Sequence, residues 1–86
     1  MQNSSATNIV NLTEIEKAGA VEDMTQRWEE SIGAATPQIR RIIASWCNRI
    51  SDWDVCYAID ETSIAPQPSL RYFVAICRRL EGEKNK

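Results

Sequence analysis

The stretch TPQIRRIIASWCNRI, residues 36–50, carries the clearest structural pattern of the 86-residue chain. Its apolar residues recur at intervals of three and four, which places them on one face of an α-helix. Thr36 and Pro37 are residue types favoured as the N-cap and the first residue of a helix. The pattern therefore predicts an amphipathic helix over residues 37–50, with its arginines on a solvated outer face rather than against a ligand.

Two helical segments are predicted before this stretch. Thr13 and Glu16 have the spacing of a capping box and would open a short helix that Gly19 ends. Residues 21–32 follow with apolar side chains at helical spacing, and Gly33 stands where a glycine commonly stops a helix. The opposite side of this second segment is rich in acidic residues, which indicates a solvated surface.

Two further helices are predicted after residue 50. The pair Ser51-Asp52 is placed to cap a helix over residues 53–62, and Ser69 to cap a last helix over residues 70–80. Two prolines within residues 63–68 exclude a helical conformation for this segment, which therefore forms a loop between the two helices. Since no segment alternates apolar and polar residues over the length of a strand, we expect an all-α, single-domain bundle of four to five short helices.

The chain divides by pattern into a domain with two short flanks. Residues 1–12 are polar without sustained periodicity and are interpreted as a flexible lead-in or linker, residues 13–80 as the helical domain, and residues 81–86 as a frayed tail. The longest apolar run, residues 72–77, is far shorter than the roughly 20 residues that span a bilayer. With no basic and apolar leader at the start, we expect a cytoplasmic protein without membrane association.

Residue types that carry chemistry are scarce. The chain has no histidine, and Cys47, Cys56 and Cys77 have neither disulfide-framework nor zinc-site spacing. We interpret these cysteines as small buried hydrophobic residues rather than reactive thiols. The carboxylates at 52–61 are explained as helix caps and surface. The sequence thus predicts no catalytic residue, no metal site and no cofactor, and we expect the protein not to be an enzyme.

Charge is distributed unevenly along a chain whose net charge is −2. Residues 1–36 hold two basic and six acidic residues, whereas residues 37–86 hold eight basic and six acidic ones. A basic surface can therefore exist on an acidic protein, so the whole-chain charge does not exclude a nucleic-acid partner.

The last helix, LRYFVAICRRL at residues 70–80, has two distinct faces. Its apolar residues share one arc, while Arg71, Arg78 and Arg79 project on the other side, with the short Ala75 between them and Tyr72 at the border. Arginines that neutralise phosphates beside a ring that stacks on bases suit single-stranded nucleic acid. The alternative is a solvated face on which the last two arginines complement the helix dipole.

Short motifs occur in an order seen in a known family. WEESIG (residues 28–33) precedes the Thr-Pro pair, and an Ala-Ile pair follows at residues 58–59. The family's closing pattern is Tyr-x-x-x-Ile-x-x-x-Trp. Tyr72 and Ile76 match it, and Leu80 stands at the tryptophan position. Over about residues 21–80 the chain thus resembles the C-terminal domain of DnaD-like replication proteins.

The resemblance implies a role in the initiation of bacterial or phage DNA replication, where such domains help to assemble the primosome and load the replicative helicase. It implies partners of two kinds, single-stranded DNA and replication-initiation or helicase-loading proteins, and self-association into a homo-oligomer. Arg71, Tyr72, Arg78 and Arg79 would be the DNA-binding residues. Leu80 in place of tryptophan removes an aromatic surface and implies weak binding.

A protein–protein adaptor of the same fold without DNA binding is the alternative function. An exposed tryptophan is a frequent interface anchor, and the chain has three, Trp28, Trp46 and Trp53. All three lie on apolar faces of predicted helices, and a domain this small must bury its largest side chains. We therefore expect all three in the core.

Overall fold

The computed structural model describes the backbone of residues 2–84 and the side chains of residues 17–84. Within these bounds it contains four α-helices and no strand, which confirms the predicted all-α fold. The helices are α1 (Gln2–Ser31), α2 (Pro37–Cys47), α3 (Asp52–Ser63) and α4 (Leu70–Lys84).

The starts of α2 and α4 are the predicted ones, and α3 starts at Asp52, one residue before the predicted Trp53, with Ser51 alone as its cap. The hydroxyl oxygens of Thr36, Ser51 and Ser69 each accept a hydrogen bond from the backbone N–H three residues later, at 3.2 Å. Pro37 takes the first helical position, where its missing N–H removes no hydrogen bond. Such caps can be predicted from the sequence because each involves only residues within one helical turn.

The first helix differs from the prediction. α1 is one continuous helix that passes through Gly19, so the predicted break at this residue is wrong. The described residues therefore form four helices and not five. A glycine inside a helix costs only about 1 kcal/mol relative to alanine, which a long helix tolerates. Residues 2–12 belong to the backbone of α1, while their side chains lie outside the described part of the chain. Their role as a lead-in or linker stays a prediction.

The last helix is longer than predicted. α4 continues past Leu80 to Lys84, and residues 85–86 lie outside the described residues. Two ion pairs connect the added turn to the bundle: Glu81 with Arg49, and Lys84 Nζ with Asp54 Oδ2 at 3.0 Å. Residues 81–84 therefore have contacts that the sequence pattern did not indicate.

The core is centred on α3, which packs against each of the other three helices. Trp28 and Phe73 contact each other edge to face, with ring centroids 5.5 Å apart and an interplanar angle of 86°. The predicted burial of Trp28 and Trp46 is confirmed, with exposed fractions of 2% and 4%. The buried apolar residues are Trp28, Ile43, Trp46, Ile50, Val55, Ala58, Ile59, Phe73, Ile76 and Cys77.

Trp53 does not belong to this core. Its exposed fraction is 85%, so the prediction that all three tryptophans are buried is wrong for this one. The buried residues of α3 are Val55, Ala58, Ile59 and Thr62. At about 100° per residue, Trp53 falls on the opposite side of α3 from these four.

Candidate nucleic-acid interface

A groove of about 430 Å³ lies between α2 and α4. Ile42 contributes from α2, and the rest of the lining comes from the first two and a half turns of α4. The residues on α4 are Leu70, Arg71, Val74, Ala75 and Arg78. Two of the four predicted DNA-binding residues, Arg71 and Arg78, therefore lie in one concave surface.

The core face of α4 sets the direction of these arginines. Phe73, Ile76 and Cys77 are buried, which turns Arg71 and Arg78 to the exposed side. The two arginines are seven residues apart, which is two turns and about 10.5 Å along the helix axis. Ala75 lies between them and is exposed, so only a short side chain separates the two guanidinium groups on this face.

The other two predicted residues occupy a neighbouring flank of α4. Tyr72 and Arg79 are both exposed, but neither lines the groove. At about 100° per residue they lie roughly 80–100° around the helix from Arg71. Arg79 also approaches Glu83, with 4.0 Å between Nε and the carboxylate oxygen. The predicted set thus divides into a groove pair and a flank pair.

The guanidinium groups of the groove are electrostatically uncompensated. Neither Arg71 nor Arg78 forms an ion pair with any residue whose side chain the structure describes. Several other basic residues form ion pairs: Arg27 with Asp60, Arg40 with Glu22, Arg49 with Glu81 and Lys84 with Asp54. The groove pair therefore presents positive charge that is available to an anionic ligand, as does the exposed Arg41 on α2, which forms no such ion pair either.

Arg49 follows α2 by two residues and contacts both Trp46 and Glu81. Its guanidinium lies 4.1 Å from the centroid of the Trp46 ring and donates two hydrogen bonds to the Glu81 carboxylate, at 2.9 and 2.6 Å. Glu81 is three residues beyond Arg78 on α4, so this contact joins the segment that follows α2 to the last part of α4. Sequence reasoning assigned Arg49 to a solvated face, and no local pattern relates it to a residue 32 positions later.

The groove walls include residues that the sequence assigned wholly to the core. Ile42, Leu70 and Val74 are only half-buried, and their exposed parts form the apolar lining. Of the residues matched to the family's closing pattern, Ile76 is buried and Leu80 is half-buried against the core. Leu80 therefore contributes to packing and not to the groove.

The side chains that line the groove are suited to binding an anionic ligand. Its six lining residues comprise two permanently charged guanidinium groups and four aliphatic side chains, with no acid, base or nucleophile among them. Such a surface suits an anionic chain that also presents apolar faces. Arginine is the side chain best matched to phosphate oxygens, because its planar group donates in a fixed fork.

The cysteines lie away from this chemistry. All three are free thiols, with Cys77 buried and Cys47 and Cys56 half-buried. Burial raises the pKa of Cys47 to about 11 and that of Cys77 to about 12. Both therefore stay protonated at neutral pH, as expected of hydrophobic packing residues.

Comparisons of the chain with protein-family models, curated proteins and solved structures found no match. In the described part of the chain, the helices are all too short or too polar to cross a membrane.

Proposed function

We propose that this chain is a non-enzymatic DNA-replication module that binds single-stranded DNA weakly through the groove between α2 and α4. The observation that carries the proposal is the uncompensated pair Arg71 and Arg78 on either side of an apolar floor. The motif order shared with DnaD-like domains supports a cytoplasmic role in replication initiation. Its partners there would be replication-initiation or helicase-loading proteins.

The geometry favours a single strand over a duplex. A single strand is flexible and exposes its bases, so phosphates can reach the two guanidinium groups while a base lies against the aliphatic floor. The groove contains no aromatic ring on which a base can stack, because Tyr72 lies on the neighbouring flank. Binding therefore depends mainly on phosphate contacts, which keeps the affinity low.

The salt dependence follows from the number of these contacts. Each phosphate neutralised on a single strand contributes about −0.7 to the slope of log K against log salt concentration, so two arginines give about −1.4. Raising the salt concentration from about 50 to about 200 mM should then weaken binding about sevenfold.

Fluorescence anisotropy of a labelled oligothymidine tests the site. The variant Arg71→Ala/Arg78→Ala should lose measurable binding at low salt. Tyr72→Ala/Arg79→Ala is the matched control from the same helix, and we expect it to bind within about twofold of the unmodified protein. Absence of binding by the unmodified protein at low salt would refute the function, and equal losses in the two variants would refute the groove as its site.

We also propose that the chain self-associates, as the resemblance to DnaD-like domains implies. Light scattering over a range of concentrations, with and without the oligonucleotide, measures it directly. An oligomer that forms independently of DNA, together with no DNA binding at low salt, would support the adaptor function in place of the DNA-binding one.

A further inference from the structure

The exposed side of α3 carries an apolar stripe, formed by Trp53, Tyr57 and Ile64. Their exposed fractions are 85%, 45% and 76%. At about 100° per residue the three positions lie within about 40° of one another, directly opposite the buried face of α3. Ile64 caps the helix with helical dihedral angles (φ −95°, ψ 0°), so it continues the same line.

The fold itself does not need this stripe. Neither of its aromatic rings belongs to the core or to the apolar residues packed against it. Single exposed apolar residues are ordinary on protein surfaces, but aligned large ones mark an interaction surface. Tryptophan and tyrosine are also the residue types that most often anchor protein interfaces.

The charge around the stripe is negative. α3 contains four carboxylates and no basic residue. Two of the carboxylates are neutralised by neighbouring helices: Asp60 accepts two hydrogen bonds from Arg27, at 2.9 and 3.0 Å, and Asp54 pairs with Lys84. The hydrogen bonds and the charge of Asp60 in turn raise the pKa of the Arg27 guanidinium.

The other two carboxylates border the stripe. Asp52 and Glu61 lie on opposite sides of it, about 100° and 80° around the helix from Trp53. Neither forms an ion pair with a residue whose side chain the structure describes. Asp60 falls about 20° from Trp53, so its ion pair with Arg27 lies in line with the stripe. The surface as a whole therefore combines exposed apolar side chains with a carboxylate that has no ion pair on each edge, which repels nucleic acid and attracts a basic partner.

We infer that this face of α3 is a docking surface for a basic amphipathic helix of a partner protein. The stripe extends over residues 53–64, about 16 Å, which matches three turns of a partner helix. Leucine-like side chains at positions i, i+3, i+4 and i+7 of the partner would contact Trp53, Tyr57 and Ile64. Lysines or arginines bordering them would approach Asp52 and Glu61. The surface is separate from the groove between α2 and α4.

A designed peptide provides the probe. A labelled amphipathic helix of leucine and lysine is titrated with the full chain and compared with a peptide of the same pattern in which glutamate replaces every lysine. We expect the lysine peptide to bind at least about tenfold more tightly than the glutamate peptide. Binding should also shift the tryptophan emission to shorter wavelength, since Trp53 is exposed while Trp28 and Trp46 are buried.

Two variants separate the stripe from charge alone. Trp53→Ser/Tyr57→Ser keeps every charge, and we expect it to weaken binding of the lysine peptide at least about tenfold. Glu61→Lys retains the apolar residues of the stripe and should weaken binding of the lysine peptide severalfold. Arg71→Ala/Arg78→Ala should bind the peptide unchanged, because those residues belong to the groove. Far-UV circular dichroism shows that each variant has folded.

Three outcomes would overturn the inference. Unchanged binding by folded Trp53→Ser/Tyr57→Ser would show that the peptide binds through charge elsewhere. Equal binding of the glutamate peptide would remove the basis for a basic partner. Association of the protein with itself that Trp53→Ser abolishes would assign the stripe to a second copy of the chain instead.

Discussion

Replacing Trp28 with alanine should destabilise the fold far more than the same replacement of Trp53. Trp28 is 2% exposed and meets the Phe73 ring edge to face at 5.5 Å. Truncating a buried tryptophan removes its transfer free energy and leaves a cavity, at a cost of about 3–5 kcal/mol. In a domain of this size the total stability is only roughly 4–13 kcal/mol, so Trp28→Ala removes a large fraction of it.

The effect of Trp53→Ala on the free energy of unfolding follows from the exposure of the Trp53 side chain. With 85% of the side chain accessible, only about a seventh of its area is removed from water. For a tryptophan that buries roughly 200 Å² when fully enclosed, this is about 30 Å² and about 0.7 kcal/mol. Alanine regains part of that through its higher helix propensity. We expect Trp53→Ala to change the free energy of unfolding by no more than about 0.5 kcal/mol.

Urea unfolding followed by far-UV circular dichroism compares the variants without relying on tryptophan emission. Trp53→Ala should retain the midpoint of the unmodified protein, while Trp28→Ala should shift it strongly downward or be unfolded without urea. A loss above about 2 kcal/mol for Trp53→Ala would mean that this side chain is buried in solution. That result would refute both the placement of Trp53 and the docking surface on α3.

Two other measurements address local features of the fold. Thr36→Ala removes the cap of α2 and should cost about 1 kcal/mol by urea unfolding, with Thr36→Ser as a control that keeps the hydroxyl. Burial raises the pKa of Cys47 to about 11 and that of Cys77 to about 12. Since the unfolded thiols release their protons first, the contribution of these two thiols to stability should be constant below about pH 8 and be lost progressively from about pH 9 upward. An unfolding midpoint equal at pH 8 and 10.5 would contradict this.

Local interactions made much of the secondary structure predictable. The caps at Thr36, Ser51 and Ser69 each involve a hydroxyl and an N–H three residues away, so the sequence contains everything that forms them. Helical periodicity likewise placed Arg71 and Arg78 on the outward side of α4. Both features depend on separations of one or two helical turns, which sequence spacing reports directly.

The break expected at Gly19 shows where local reasoning is insufficient. A glycine lowers helix propensity, but whether a helix ends there depends on the total stability of the segment, and α1 continues through it. Trp53 is a second example. Its apolar character suggested the core, although its position around α3 is opposite to the four residues that are buried.

By itself, the sequence determined that the chain is all-α, where three of its helices begin, and which side of α4 bears the arginines. The tertiary structure decided which exposed residues meet. Arg49 and Glu81 are 32 residues apart and Arg27 and Asp60 are 33 apart, yet both pairs are in contact. The groove between α2 and α4 and the bordered stripe on α3 arise in the same way. They depend on how the helices pack around one core, and periodicity within a single helix carries no information about its neighbours.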